Sequence, residues 1–164
     1  MTSVRDYVRG DAEPICRLVY ETVRTVNLAH YTPEQVRTWA PEVPDPDAWH
    51  GRMSGRHTLV AVEGGEVVGF SELEENGHLD MLYCRPDAVG RGVGSRLYAA
   101  AEERARGIGV GRISTEASIT ARPFFERHGF RVVQRNVVVW HDVELVNFSM
   151  DKILRPSGAG RPVR

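Results

Sequence analysis

Polar and apolar residues are interleaved from Ser3 to Val8, which reads as a strand, and then the rhythm changes: Ile15, Leu18, Val19, Val23 and Val26 recur at mostly three- and four-residue steps. Alternation lines one face of a strand, whereas three-and-four spacing lines one face of a helix. The pattern predicts a first strand and then a helix that Asp11 can cap and that runs to about Asn27. Thr32, Pro33 and Gln35 start a second helix as N-cap, first-turn proline and capping-box partner, and it ends before Pro41. Pro41 to Pro46 reads as loop, and Asp47 to Met53 as one or two further helical turns.

From Thr58 the period becomes two. Thr58 to Glu63 and Val67 to Glu74 flank Gly64-Gly65, a hairpin signal, and His78 to Cys84 follows as the third strand of a meander. A glycine-rich turn leads into Ser95 to Arg106, which is dense in the helix formers Ala, Leu, Glu and Arg. Gly107, Gly109 and Gly111 come after that helix and read as its C-cap and turn. Arg112 to Ala117 predicts a strand, Arg122 to His128 a short helix closed by Gly129, and Phe130 to Trp140 with Val143 to Lys152 a closing hairpin. This order predicts one α+β domain over residues 1–154, with residues 155–164, rich in Pro, Gly and Arg, as a loose tail.

Composition narrows the function classes. The 164 residues are 41% hydrophobic and 26% charged, enough for one buried core in a water-soluble globule. Lys plus Arg total 21 against 22 Asp plus Glu, a net charge of -1, so no global basic field draws in nucleic acid or an anionic membrane surface. The N-terminus has no basic-then-apolar leader, and no apolar run approaches the roughly 20 residues that a bilayer requires. Cys16 and Cys84 are too few for a disulfide scaffold, which favours a reducing cytoplasm. The six histidines make no HxxxH and the cysteines no CxxC, so no metal site is expected.

The most informative chemistry lies between Arg85 and Gly107. Strand, glycine-rich turn and helix start is the layout of a phosphate cradle: Gly90, Gly92 and Gly94 lack a Cβ, and their amides can turn toward an anion with the positive end of a helix dipole behind them. Such turns also occur for steric reasons alone. A Walker loop requires Lys and then Ser or Thr after its last glycine, but Ser95 and Arg96 follow Gly94. Counted from Gly90 or Gly92, the dinucleotide pattern GxGxxG meets Ser95 or Leu97 where a glycine is required.

Val89-Gly90-Arg91-Gly92-Val93-Gly94 instead resembles the acyl-CoA loop of the GCN5-related N-acetyltransferases (GNAT), Gln/Arg-x-x-Gly-x-Gly/Ala after a strand, with Val89 departing from the first position. Ala117 to Phe130 is similar to the family's later N-x-x-A-x-x-F-Y-E-x-x-G-F pattern. Tyr31 to Pro41 and Val143 to Lys152 extend the likeness toward the YafP-type branch of small bacterial acetyltransferases, from Val4 to about Leu154. The resemblance implies a GNAT fold: a mixed, mostly antiparallel central sheet of about seven strands flanked by about four helices. It implies acetyl-CoA as cosubstrate and direct acetyl transfer, in a ternary complex, to a primary amine of a small molecule or peptide. A cytoplasmic monomer or homodimer is expected, without nucleic-acid or membrane partners. The alternative is an acyl-CoA-binding sensor or partner-binding module with little catalysis.

The resemblance also assigns roles. Val89, Gly90, Arg91, Gly92, Val93, Gly94 and Ser95 would hold the coenzyme diphosphate; Leu82, Tyr83 and Cys84 would line the thioester and supply oxyanion donors. Thr120 stands where the family often has an Asn that bonds pantetheine, and Phe124 and Phe125 would pack beside it. An amine with a pKa near ~10.4 is neutral in about one molecule in ~2500 at pH 7, a penalty of roughly 4.6 kcal/mol, so a base is useful. Two apart on a strand, His78 and Asp80 share a face that continues through Leu82 and Cys84 toward the loop. The YafP-like pattern favours Asp80 as that base and the histone-type pattern His78, with Glu72 and Glu74 as weaker candidates. Phe125 replaces the Tyr that commonly protonates the departing thiolate; His128, Tyr83 and Tyr98 are conceivable substitutes. A thiol of pKa near ~8.5 also leaves tolerably without help. The acceptor pocket is expected from Tyr31 to Met53 and the last hairpin, with Trp39, Trp49, His50 and Trp140 as its lining.

Overall fold

The computed structural model describes residues 1–155; the expected tail therefore lies, apart from Arg155, outside the described residues. The strands are β1 (Ser3–Asp6), β2 (His57–Glu63), β3 (Glu66–Leu73), β4 (Leu79–Cys84), β5 (Arg112–Ser118), β6 (Arg131–Trp140) and β7 (Val143–Ile153). The helices are α1 (Ala12–Thr25), α2 (Pro33–Trp39), α3 (Pro46–Met53), α4 (Val93–Gly107) and α5 (Arg122–Arg127). Seven antiparallel strands thus form the α+β fold, with five α-helices among the described residues where about four were expected.

Local signals account for several boundaries. The Thr32 hydroxyl accepts from the Gln35 amide at 3.1 Å, and the Gln35 side chain accepts from the Thr32 amide at 2.9 Å, so α2 begins on the capping box the sequence spells out. Asp11 behaves differently from expectation. Its carboxylate takes the Val8 amide at 2.9 Å and both terminal nitrogens of Arg5, so it closes the turn before α1 and leaves the helix end without a side-chain cap.

The strands divide into two sheets. One runs β1-β2-β3-β4 and the other β5-β7-β6, so the expected central sheet is interrupted between β4 and β5. A parallel bridge between His78 and Ser114 joins them at one end, where the Ser114 amide donates to the Gly77 carbonyl at 3.2 Å and the Thr115 hydroxyl to the Leu79 carbonyl at 2.8 Å. Past this clasp β4 has no strand partner on its outer edge among the described residues.

Helices cover both faces. On one, Leu97, Ala101 and Ala105 of α4 meet Leu79, Ile113, Phe125 and Met150; on the other, Ile15, Leu18 and Val23 of α1 meet Val60, Phe70 and Met53. Full burial of each large apolar side chain contributes roughly 1.5–3 kcal/mol, which holds the two sheets between the helical layers although they share little backbone pairing.

A β-bulge changes the parity of β4. Leu73 pairs with Leu79 and Glu72 with Met81, leaving Asp80 as the extra residue. Leu79, Leu82 and Cys84 consequently pack toward α4, whereas Met81 and Tyr83 pack toward α1. The single face expected to run from His78 through Asp80 to Cys84 is therefore broken at Asp80.

Candidate active site

The divergence of β4 from β5 opens a cleft of about 490 Å³ between the helical layers. Its walls bring together Asp80, Leu82, Tyr83 and Cys84 of β4, Val89, Gly90, Gly92, Gly94 and Ser95 of the glycine turn, Thr120, Phe124 and Phe125, and Trp39 of α2. Residues far apart in sequence meet because the gap runs through the middle of the molecule.

At one mouth, the turn enters α4. Gly90 and Gly92 have φ of 79° and 83°, a left-handed backbone that a Cβ disfavours, and Gly92 is the N-cap of α4. No side chain among the described residues caps this end, so the first-turn amides and the helix dipole are available to an anion. Gly94 matters for packing instead, because a Cβ there would stand 3.2 Å from the Phe124 ring. Val93 faces the core and Arg91 reaches away to Glu63 at 3.1 Å, so neither side chain lines the cleft. Arg127, which the sequence motifs did not single out, does line it.

Along β4, backbone direction matters as much as side chains. The Arg85 amide donates to the Val68 carbonyl on β3, while the Cys84 carbonyl accepts the Thr22 hydroxyl at 2.7 Å on the opposite side. Because strand backbone groups alternate in direction, the amides of Leu82 and Cys84 point into the gap, where no strand pairs with them. Two N–H groups that no strand among the described residues pairs thus face one cavity, where they can donate to the same acceptor.

The acidic end is crowded. Arg56 donates to Asp80 at 2.9 Å and to Glu72 at 3.0 Å and lies 3.2 Å from Glu74; Arg52 adds a 2.8 Å contact to Glu72. Glu72 is sealed from solvent, so this pairing is structural. Asp80 keeps one carboxylate oxygen outside the Arg56 contact and is about one-third exposed. His78 lies behind the clasp and does not line the cleft: Nδ1 sits 3.0 Å from the Ser114 hydroxyl and Nε2 2.9 Å from Glu116, and it is Glu116 that reaches the cleft wall. Glu74, His78 and Asp80 bring ligand-type atoms within 4.8 Å of one another, but the Arg56 guanidinium already holds both carboxylates.

The possible acids separate. Tyr98 donates to Glu102 at 3.0 Å and lies outside the cleft. Burial, reinforced by Lys152 and Arg127, pushes His128 below the usual imidazole value, so it is a neutral ring near pH 7. Tyr83 does line the cleft, and burial first, then the charge of Asp80, push its hydroxyl above the ordinary phenol value. Cys84 has its thiol pushed up to about 11 by burial.

Of the four aromatic residues expected around the acceptor, Trp39 alone reaches the cleft. Trp49 lies against Arg52 with the guanidinium 4.5 Å from its ring centroid, His50 bonds the Tyr7 hydroxyl at 2.7 Å, and Trp140 is 46% exposed at the end of β6. In their place the cleft uses Thr22, Asn27 and Glu116, which carry no motif and are recognisable only once α1 and β5 are packed beside β4.

An acetyltransferase architecture is what this splayed pair of strands, amide-lined edge and uncapped helix start define. The model of the acetyltransferase (GNAT) domain family matches residues 27–152, and the chain belongs to this family. It is 31% identical over 147 residues to the uncharacterized N-acetyltransferase YafP of Escherichia coli (strain K12), an alignment spanning 90% of this chain and 93% of that protein. The crystal structure of a GCN5-related N-acetyltransferase from Rhodopseudomonas palustris superposes with a TM-score of 0.88 at 34% identity, over 94% of this chain and 96% of that one. YncA from Salmonella typhimurium, determined with acetyl-CoA, shares the fold at a TM-score of 0.74 and 19% identity over 99% of each chain. No helix among the described residues is long and apolar enough to cross a membrane.

Proposed function

We propose that the protein transfers the acetyl group of acetyl-CoA to the primary amine of a small cytoplasmic molecule by direct attack in a ternary complex. The observation that carries this reading is the cleft between β4 and β5, with the uncapped start of α4 at one mouth and the Leu82 and Cys84 amides along its wall. In this reading the α4 amides bind the diphosphate, with Arg127 beside them, and Phe124 and Phe125 flank the pantetheine arm. The amides of Leu82 and Cys84 stabilise the tetrahedral oxyanion. Asp80, through its free carboxylate oxygen, removes the amine proton directly or through water. The raised value of the Cys84 thiol supports direct transfer over an acetyl-cysteine intermediate.

The test is release of free thiol from acetyl-CoA in the presence of a panel of amines. Asp80→Asn is expected to lower kcat by about 10²- to 10⁴-fold, the usual span for a lost general base, while acetyl-CoA affinity measured by calorimetry stays unchanged. One observation favours a second reading, an acyl-CoA-binding sensor: Phe125 has no hydroxyl with which to protonate the thiolate. Saturable acetyl-CoA binding without turnover of any amine, unaffected by Asp80→Asn, selects the sensor.

A further inference from the structure

Asn27 is 4% exposed, in the turn between α1 and α2, and lies on the cleft wall. Its backbone carbonyl accepts the amides of His30 and Tyr31 at 3.0 and 2.9 Å, which fixes the residue in place. Its side-chain amide bonds no protein group among the described residues, and unlike the Ser71 hydroxyl it is not shut off from solvent, so it is open to the cleft with two N–H donors and a carbonyl acceptor to offer. A polar group fixed by its backbone on a cleft wall, with its side chain bonded to no protein group, is a place where a ligand group can replace water.

Its surroundings define what that ligand carries. Trp39 packs edge-on against Tyr31, with ring centroids 5.5 Å apart, and Tyr83 stacks on Phe70 at 6.2 Å, so both cleft-lining rings are backed and held. The Tyr31 hydroxyl is itself tied to the Val146 carbonyl at 2.6 Å and the Ile119 amide at 2.9 Å, which anchors the Trp39 side of the wall. The charges near this end are the carboxylates of Asp80, Glu116, Glu72 and Glu74 against the guanidiniums of Arg52 and Arg56. On the cleft wall itself the charged side chains are Asp80, Glu116 and Arg127, the last of which the acetyl-transfer reading assigns to the diphosphate, and Arg56 is already shared among three carboxylates, so a substrate carboxylate at the Asp80 end meets repulsion. An ammonium meets Asp80 and two aromatic rings. The cleft of about 490 Å³ also has to hold the pantetheine arm, which limits the acceptor to a small body.

Resting on the acetyl-transfer reading, we infer that the acceptor is a monocationic amine on a flat aromatic or alicyclic body, with one neutral hydrogen-bonding group for Asn27 and no carboxylate. The ammonium lies toward Asp80, the ring against Trp39 and Tyr83, and the neutral polar group against the Asn27 carboxamide.

Matched acceptors test this without any variant. Tyramine and tyrosine differ by the carboxylate, and tyramine and phenethylamine by the hydroxyl; each is titrated by calorimetry into the protein saturated with CoA and assayed for acetylation. Tyramine is expected to bind about 100-fold more tightly than tyrosine, as an uncompensated buried charge implies, and about 10-fold more tightly than phenethylamine. Asn27→Leu is expected to weaken tyramine about 10-fold more than phenethylamine, with CoA affinity unchanged as the control for folding. Tyrosine binding as well as tyramine, or Asn27→Leu acting equally on tyramine and phenethylamine, overturns the inference. So does failure of every carboxylate-free amine to bind the CoA complex. Tyramine that binds with these preferences but is never acetylated upholds the subsite and removes the catalytic reading instead.

Discussion

Burial decides what each cleft-facing side chain can do. Cys84 stands beside the expected thioester, yet with its thiol pushed up to about 11 it carries almost no thiolate at pH 7, and thiolate is the nucleophilic form. Cys84→Ala is accordingly expected to retain turnover within about threefold, since direct transfer as proposed places no acetyl group on it and the lost group is small and apolar in behaviour. Intact-mass measurement of the wild-type protein after acetyl-CoA is expected to show no acetyl adduct on Cys84, and an adduct there would replace direct transfer with a two-step route. Tyr83 is the complementary case. A hydroxyl held above the ordinary phenol value stays protonated, so at neutral pH it can donate a hydrogen bond and cannot act as a base.

The first turn of α4 and the C-terminal end of β7 are the elements whose chemistry is most exposed to single changes. Gly92 holds a left-handed backbone directly at the helix start; Gly92→Ala adds about 1–2 kcal/mol of local strain and tilts the amides that follow. Its expected signature is a lowered urea midpoint together with weakened acetyl-CoA binding, whereas a structural glycine remote from the ligand lowers the midpoint alone. On β7, Asp151 is 4% exposed and accepts from Arg112 on β5 at 2.9 Å and Arg131 on β6 at 3.0 Å, stapling three strands. Burial alone raises such a carboxyl, but the two guanidiniums outweigh it and hold Asp151 below its ordinary value of 3.8. A carboxylate depressed in the folded state stabilises above its unfolded value and loses that contribution as pH falls through the folded one. Asp151→Asn is expected to cost about 2 kcal/mol at pH 7, by loss of two charge-assisted hydrogen bonds, and the difference from wild type is expected to shrink below about pH 4 in urea titrations. At this scale much was readable from local residues. The capping box at Thr32, the Gly64-Gly65 turn and the glycine-rich approach to α4 depend on neighbours within a few positions, so their chemistry shows in the chain itself. The bulge at Asp80 was not readable, because an extra residue in one strand exists only relative to the pairing of the other.

At the scale of the molecule, two sheets clasped at His78 and Ser114 and parted beyond them make a fold with its candidate site built into the gap. A ligand lying there contacts both sheets and both helical layers, so its binding is coupled to global stability. Acetyl-CoA at 100 times its Kd is expected to add about 2.7 kcal/mol and raise Tm by several degrees, and desulfo-CoA is expected to retain most of that shift. An unchanged Tm under saturating acetyl-CoA would contradict coenzyme binding in this cleft.

The chain by itself determined its elements, its α+β class, and the family motifs at the glycine turn and at Phe124 and Phe125, since those follow from periodicity, turn chemistry and short spacing. Only the tertiary structure decided which groups meet. It turned Arg91 to Glu63 instead of the cleft, tied Asp80 to Arg56, put Glu116 between His78 and the cavity, and left the Asn27 carboxamide facing it. Those outcomes are set by how two sheets and two helical layers close on one another, and a contact across tens of residues leaves no periodic trace in the sequence that makes it.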